Sequence, residues 1–263
     1  MPRRSGSSLE RGLRLLSVFA KAGEAELTVA DLARQAGLPP STAYRYIQGL
    51  REAGYLEAAG TGAVRLGEQV RALARDLQLQ DPLAEFARPV MRELSRLTME
   101  TVLLVEPAGT FGICVERVES QEPVRLSFAK GRMEPLYAGA TVRALLAFLP
   151  DDVLESVIAA GLVRYTEITI GDPEALRRNL AEVRRLGYAH SLGEMDEGVR
   201  ALAVPLRPDG QGFARAALSV TGPAFRFTED KVPQVLPLLR ASAARIEGIL
   251  GRLQVRTDTG RSS

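Results

Sequence analysis

The residues best suited to chemistry in this sequence gather on one short segment. From 40 to 53 the apolar residues Ala43, Ile47 and Leu50 recur at helical spacing, with Tyr46 flanking them. The opposite face then carries Ser41, Thr42, Tyr44, Arg45 and Gln48. Short hydroxyls at the start of a helix suit phosphate oxygens, while an arginine and a glutamine one turn on suit guanine and adenine in the major groove. Arg51 follows as a further phosphate cation. Any small helical domain has a polar outer face, so this face alone leaves a solvated surface and a DNA-reading surface equally open. The elements around it tip the balance.

A second set of residues points to a small-molecule pocket. Along 217–221, alternation places Ala217, Ser219 and Thr221 on one face of a strand and Leu218 and Val220 on the other. Along 199–205 it groups Val199, Ala201 and Ala203 against Leu202 and Val204. A small, hydroxyl-bearing face leaves room for a ligand, with the Ser219 and Thr221 hydroxyls about 7 Å apart. Gly139-Ala140-Thr141, entering a helix, offers backbone N–H groups to an anion. Close packing of a helix against the same small face accounts for these residues equally well.

Catalytic and metal chemistry find little support. The 263 residues include one Cys (Cys114) and one His (His190), which excludes a disulfide framework, a zinc finger and a histidine-built metal site. Cys114 lies mid-strand as a small apolar residue, and nothing in the sequence brings His190 to it. Glu194, Asp196 and Glu197 lie close in sequence but have no accompanying ligand cluster, so a solvated loop is expected. No phosphate loop, nucleophile elbow or dinucleotide-binding glycine pattern occurs. The expectation is a protein with no catalytic residues, no metal and no cofactor.

The elements that must position these residues come next. A helix over 9–22, with Leu9, Leu13, Leu16 and Phe19 or Ala20 inward, opens the chain behind a Ser7/Glu10 capping box. Thr28 starts a short helix with Asp31 three positions on, burying Leu32, Ala33 and Ala36, and Gly37 stops it with Leu38 buried in the turn. The Pro40 helix closes at Gly54, and strand pieces 55–57 and 63–66 flank a glycine loop whose nearest basic side chain is Arg65. Three helices and a hairpin form a winged helix-turn-helix pattern. Residues 67–80 read as a helix with a seam of Leu66, Val70, Leu73 and Leu77, apolar enough to pair with another helix, before Asp81-Pro82 breaks it.

The second part opens with a helix over 83–97, with Phe86, Ala87, Val90 and Leu94 inward. Strand candidates follow at 101–105, 111–118 and 124–128, then helices at 141–148, 151–159 and 173–186, the last capped by Asp172. Strands at 202–206 and 213–220 flank a turn at 208–210, and a helix over 229–250 ends before a frayed polar tail. Residues 1–80 hold 11 Lys and Arg against 8 Asp and Glu, and the remainder 23 against 24. The basic excess thus sits beside the helix-turn-helix, as an anionic partner requires. No apolar stretch approaches the ~18 residues of a membrane span, and the opening residues lack a signal-peptide core, so a cytoplasmic location with no membrane partner is expected.

Taken in order, these segments resemble the IclR family of bacterial transcription regulators. SLERGLRLLSVFA (8–20) is similar to the family's first helix, and LTVADLARQAGLPPSTAYRYIQGLREAGYLE (27–57) to its helix-turn-helix. EPLYAGATVRALLAFLP (134–150), LRRNLAEVRRLGYAHSLGEMDEGVRALAVPL (176–206) and ALSVTGP (217–223) follow its effector domain. The resemblance implies an α+β protein. It has a winged helix-turn-helix over 8–67, a linker helix over 68–81 and a GAF-like effector-binding domain with a curved antiparallel sheet over 82–252, followed by a disordered tail over 253–263. It implies a homodimer or dimer of dimers on double-stranded DNA, at a near-palindromic operator contacted by Thr28, Ser41, Thr42, Tyr44, Arg45, Gln48, Arg51 and Arg65. It implies an organic-acid-type effector held by Leu136, Gly139, Ala140, Thr141, Ser191, Val199, Ala201, Ser219 and Thr221. Two departures stand out: Thr141-Val142-Arg143 replaces the family's usual small residue, Gly and Lys, and Ala201 replaces a frequent Ser or Cys.

Overall fold

The computed structural model describes residues 7–22, 26–60, 62–73, 83–126, 128–208, 210 and 212–259. It divides after residue 82 into two units, each with its own core.

In the first unit, α1 (Ser8–Ala22), α2 (Val29–Gln35) and α3 (Pro40–Glu52) pack around Leu15, Val18, Phe19, Leu32, Ala43 and Ile47. The buried stripe of α1 is Leu15, Val18 and Phe19, whereas Leu9 and Leu13, expected inward, are exposed. Both rows are apolar at helical spacing, and facing Leu32 and Ala43 decides between them. The turn from α2 to α3 is a Schellman motif: Leu38 N–H donates to Ala33 O at 2.9 Å and Gly37 N–H to Arg34 O at 3.2 Å. Gly37 has φ +63°, the left-handed conformation this motif requires. The hairpin β2 (Leu56–Ala59) and β3 (Ala63–Leu66) pairs antiparallel, and β1 (Leu27–Thr28) adds to the other edge of β3. Gly67 closes the hairpin where a Cβ would lie 2.2 Å from Gly54 O, so the close approach admits only glycine. The next helix, α4, is described over 68–73. Leu73 on the expected seam is exposed, and Leu77 lies outside the described residues.

The second unit is a six-stranded antiparallel sheet between two helical layers. Its strands are β4 (Thr101–Ala108), β5 (Phe111–Val118), β6 (Met133–Pro135), β7 (Ala189–Leu192), β8 (Val199–Leu206) and β9 (Ala216–Pro223), ordered β6-β5-β4-β9-β8-β7. Alternation assigns the faces. Val102, Leu104, Leu202, Val204, Leu218 and Val220 pack against α5 (Leu83–Thr98) and α9 (Val232–Thr259). Leu103, Val105, Ala201, Ala203 and Ala217 face α6 (Ala140–Leu146) and α8 (Pro173–Leu186), with α7 (Asp151–Ala160) completing that layer. Every residue of α6 is buried, and the small side chains of β8 and β9 are what allow it so close to the sheet.

Several expectations are corrected. Residues 124–128 alternate like a strand, but 124–126 and 128 lie outside any strand, residue 127 being outside the described residues: Arg226 donates to Val124 O and the Thr101 hydroxyl to Leu126 O, in place of a strand partner. The third strand beside β5 is β6 instead. Phe86 on α5 is 38% exposed, and Met91 is buried in its stead. Phe213 lies outside β9 and is exposed. The closing helix runs on through Thr259, past the expected end at 250. Gly210 N–H donates to Arg207 O at 2.7 Å in the expected turn, in which Asp209 lies outside the described residues.

Candidate functional site

On the first unit, α3 presents the expected face. Ser41, Tyr44, Arg45 and Arg51 are exposed and Thr42 and Gln48 half-buried, while Ala43 and Ile47 are inward. The Arg45 guanidinium stands 5.3 Å from the Tyr46 ring centroid, a cation–π contact that restrains the side chain. Arg51 Nη1 donates to Gln48 Oε1 at 3.5 Å. Two other expected DNA contacts have structural partners. The Thr28 hydroxyl caps α2, accepting from Asp31 N–H at 3.1 Å and donating to Asp31 Oδ2 at 2.7 Å. Arg65 pairs with Glu57 at 2.6 Å, and Arg71 holds the same carboxylate at 3.0 Å. The two guanidiniums, Arg71 foremost, hold Glu57 below its ordinary pKa. The hairpin therefore keeps its nearest cation turned to its own carboxylate.

On the second unit, a cleft of about 40 Å³ opens where the start of α6 meets β8, β9 and the 193–198 turn. Gly139, Ala140, Thr141, Ser191, Val199, Ala201 and Thr221 line it, as expected from the sequence. Leu136 and Ser219 do not: both are fully buried in the packing between α6 and the sheet. The hydroxyls thought to face a ligand are engaged by the protein. Thr141 Oγ1 donates to Ser219 Oγ at 2.9 Å, and Thr221 Oγ1 donates to Arg200 O at 3.2 Å. The amides at the start of α6 are also used, with Ala140 N–H on Ser191 Oγ at 3.1 Å and Gly139 N–H on Glu194 Oε2 at 3.3 Å.

The sequence reading missed the charged part of this site. Glu134, Glu194 and Asp196 line the cleft together with Leu103, Phe128 and Met195. Glu194, expected in a solvated loop, is paired bidentately with Arg143, whose Nη2 donates to Glu194 Oε1 at 2.7 Å while Nη1 engages Oε2. Arg143 is 1% exposed and also donates to His190 O at 3.1 Å. Burial raises the Glu134 carboxyl above its ordinary pKa, against the pull of Arg132 and with the help of Asp196. The signal for this pair was present as the arginine at 143 and the carboxylate at 194, but 51 residues of chain separate them. No periodicity spans such a gap.

The remaining candidates separate. Cys114 is buried on β5, and burial pushes its thiol up to about 12. His190 sits exposed on β7, four strands away across the sheet. At ~4.8 Å per strand the two lie roughly 19 Å apart and cannot form a nucleophile–base pair. Among the described residues, no group of His, Cys, Asp and Glu could hold a metal ion, and no helix is long and apolar enough to cross a membrane.

Residues 8–60 match the IclR helix-turn-helix domain, and residues 66–247 match the C-terminal domain of the bacterial transcriptional regulator IclR. The chain belongs to the IclR family. It is a transcriptional regulator with a DNA-binding helix-turn-helix. It is 32% identical to the HTH-type transcriptional regulator KipR of Bacillus subtilis over 92% of this chain and 96% of that protein. Among solved structures, it resembles an IclR transcriptional regulator from Silicibacter sp. TM1040, with TM-score 0.77 and 32% identity over 93% of this chain and 96% of that one. An IclR homologue from Microbacterium hydrocarbonoxydans, complexed with 4-hydroxybenzoate, matches with TM-score 0.70 and 31% identity over 92% and 98% of the two chains.

Proposed function

We propose that this IclR-family regulator binds a near-palindromic operator as a dimer or dimer of dimers, and that a small organic acid in the cleft beside α6 modulates that binding. The observation that carries the reading is the pairing, in one chain, of an outward α3 face bearing Arg45 and Gln48 with a second unit that holds a cleft between a buried helix and its sheet. The 4-hydroxybenzoate complex of a relative supports a small organic acid as the effector class. The seam around Val70 and Leu73 supports self-association, with two α3 helices set about 34–36 Å apart on the DNA. The reading assigns no catalytic step, consistent with a Cys114 thiol that stays protonated and a His190 with no reacting partner.

The test uses DNA selected by the purified protein from a random-sequence pool. Small carboxylates, sugar acids and 4-hydroxybenzoate are then screened for changes in affinity for that DNA and in Tm. At least one acid is expected to change both, and none to be consumed. A panel that leaves DNA binding and Tm unmoved overturns the effector reading.

A further inference from the structure

Resting on the reading of the cleft as an effector site, we infer that Arg143 is the anion-binding cation of that site and that Glu194 is its built-in occupant, so that a carboxylate ligand binds by exchanging for the Glu194 side chain.

Four observations converge on this exchange. First, the Arg143 guanidinium is buried, and among the described residues its ion-pair partner is Glu194, engaged by both terminal nitrogens. A third donor, Gly139 N–H, reaches the same carboxylate at 3.3 Å. Two guanidinium bonds and an amide are what a free carboxylate needs, and the fork geometry favours a planar acid. Arg143 Nε has no hydrogen-bond partner, which leaves the buried cation incompletely satisfied.

Second, the occupant and not the cation borders the cleft. Glu194 borders the cleft and its side chain is 12% exposed, whereas Arg143 lies behind it and does not line the cavity. Any ligand reaching the guanidinium must take the place of that carboxylate. Third, charge disfavours simple addition. Glu134 and Asp196 line the cleft with Glu194, and Arg132 pairs with the first two, so an acid added beside them meets three carboxylates against two guanidiniums, whereas an acid exchanged for Glu194 leaves the local charge unchanged. Fourth, the two partners sit on different kinds of element. Arg143 is fixed on a helix buried along its whole length, while Glu194 rides on a turn bounded by Gly193 (φ +70°) and Gly198 (φ +72°). The free volume of about 40 Å³ is far below the several hundred Å³ of an ordinary ligand site, and withdrawal of this side chain enlarges it in the right place. The turn is also tied to the rest of the unit, since Glu194 O accepts from the Thr169 hydroxyl at 2.6 Å, so exchange is felt at 166–169.

The experiment reads acetate, a probe the size of the group removed. In the full-length chain, Glu194→Ala deletes the carboxymethyl group and leaves Arg143 unpaired. Acetate at ten times its Kd then raises the folded-to-unfolded ratio about 11-fold. That corresponds to a Tm rise of about 3–5 °C for a unit of this size. Wild type gains less, because there acetate has to displace the tethered Glu194 carboxylate, and Glu194→Ala with Arg143→Met loses the gain. Where Glu194→Ala does not fold without acetate, Glu194→Gln keeps the side-chain volume and removes the charge, and acetate stabilises it above wild type. An alanine or glutamine variant that responds to acetate no more than to chloride overturns the exchange, whatever the DNA assay shows. Acetate rescue with no acid able to move DNA binding leaves the exchange standing and overturns the effector reading instead.

Discussion

Replacing Ser219 or Thr141 tests whether the hydroxyls of β9 serve the fold. The Thr141 hydroxyl donates to Ser219 Oγ at 2.9 Å, with Ser219 at 0% and Thr141 at 6% exposure, so water cannot replace either partner. Ser219→Ala strands the Thr141 donor in the interface between α6 and β9, at a cost of about 1–3 kcal/mol. Thr141→Val keeps the branched shape but strands the fully buried Ser219 hydroxyl, at a similar cost of about 1–3 kcal/mol. The double variant places two apolar groups where two hydroxyls met and is close to neutral, so the singles sum to more than the double by about 1 kcal/mol or more. Urea unfolding of all four proteins measures this, with hydrogen exchange of the β9 amides reading the second unit by itself. Additivity within ~0.5 kcal/mol refutes the reasoning and shows that the two hydroxyls do not depend on each other.

Arg45→Ala is expected to lower affinity for selected DNA by about 1–3 kcal/mol with a smaller loss on random DNA, whereas Arg51→Ala weakens both alike and lowers the salt slope by about 1. Equal losses on the two DNAs for Arg45→Ala reduce its role to phosphate contact. Glu134→Gln is expected to stabilise the second unit at neutral pH. Its folded carboxyl titrates above 4.5, so the folded chain holds the proton more tightly than the unfolded one, and wild-type stability falls as pH rises from 4.5 through the raised value. The advantage of the glutamine variant therefore grows across that window and is absent below it. A difference independent of pH in urea melts rules out burial of the charge as its cause.

Local rules made the DNA-binding unit readable. A capping threonine, a left-handed glycine and a proline at the first turn of a helix act within a few residues, and each stands where the sequence placed it at Thr28, Gly37 and Pro40. The register of α1 was only partly readable: Phe19 belongs to the expected stripe and is buried, but Leu9-Leu13-Leu16 and Leu15-Val18 are equally periodic leads into it and only tertiary contact separates them. In the second unit, alternation identified the small face of β8 and β9 correctly but could not apportion it between helix packing and cleft. The structure divides it, with Ala203, Ala217 and Ser219 under α6 and Val199, Ala201 and Thr221 at the cavity. The Arg143–Glu194 pair joins residues remote in sequence, and its partners become visible only once β7 and its turn are brought beside α6.

The margins of the six-stranded sheet bear on how copies of this chain can meet. Its outer strands are 3 and 4 residues long, β6 ending in Pro135 and β7 running into the glycine-bounded turn, while the four strands between them have 8 residues each. A ribbon so short at both margins offers few unpaired amides, and proline removes one more. Extension of the sheet from one copy into the next, the route by which many β-proteins fuse or polymerise, is closed at its start. Any association through the second unit is then left to side chains on helices and loops, where contacts form and release without re-pairing a backbone.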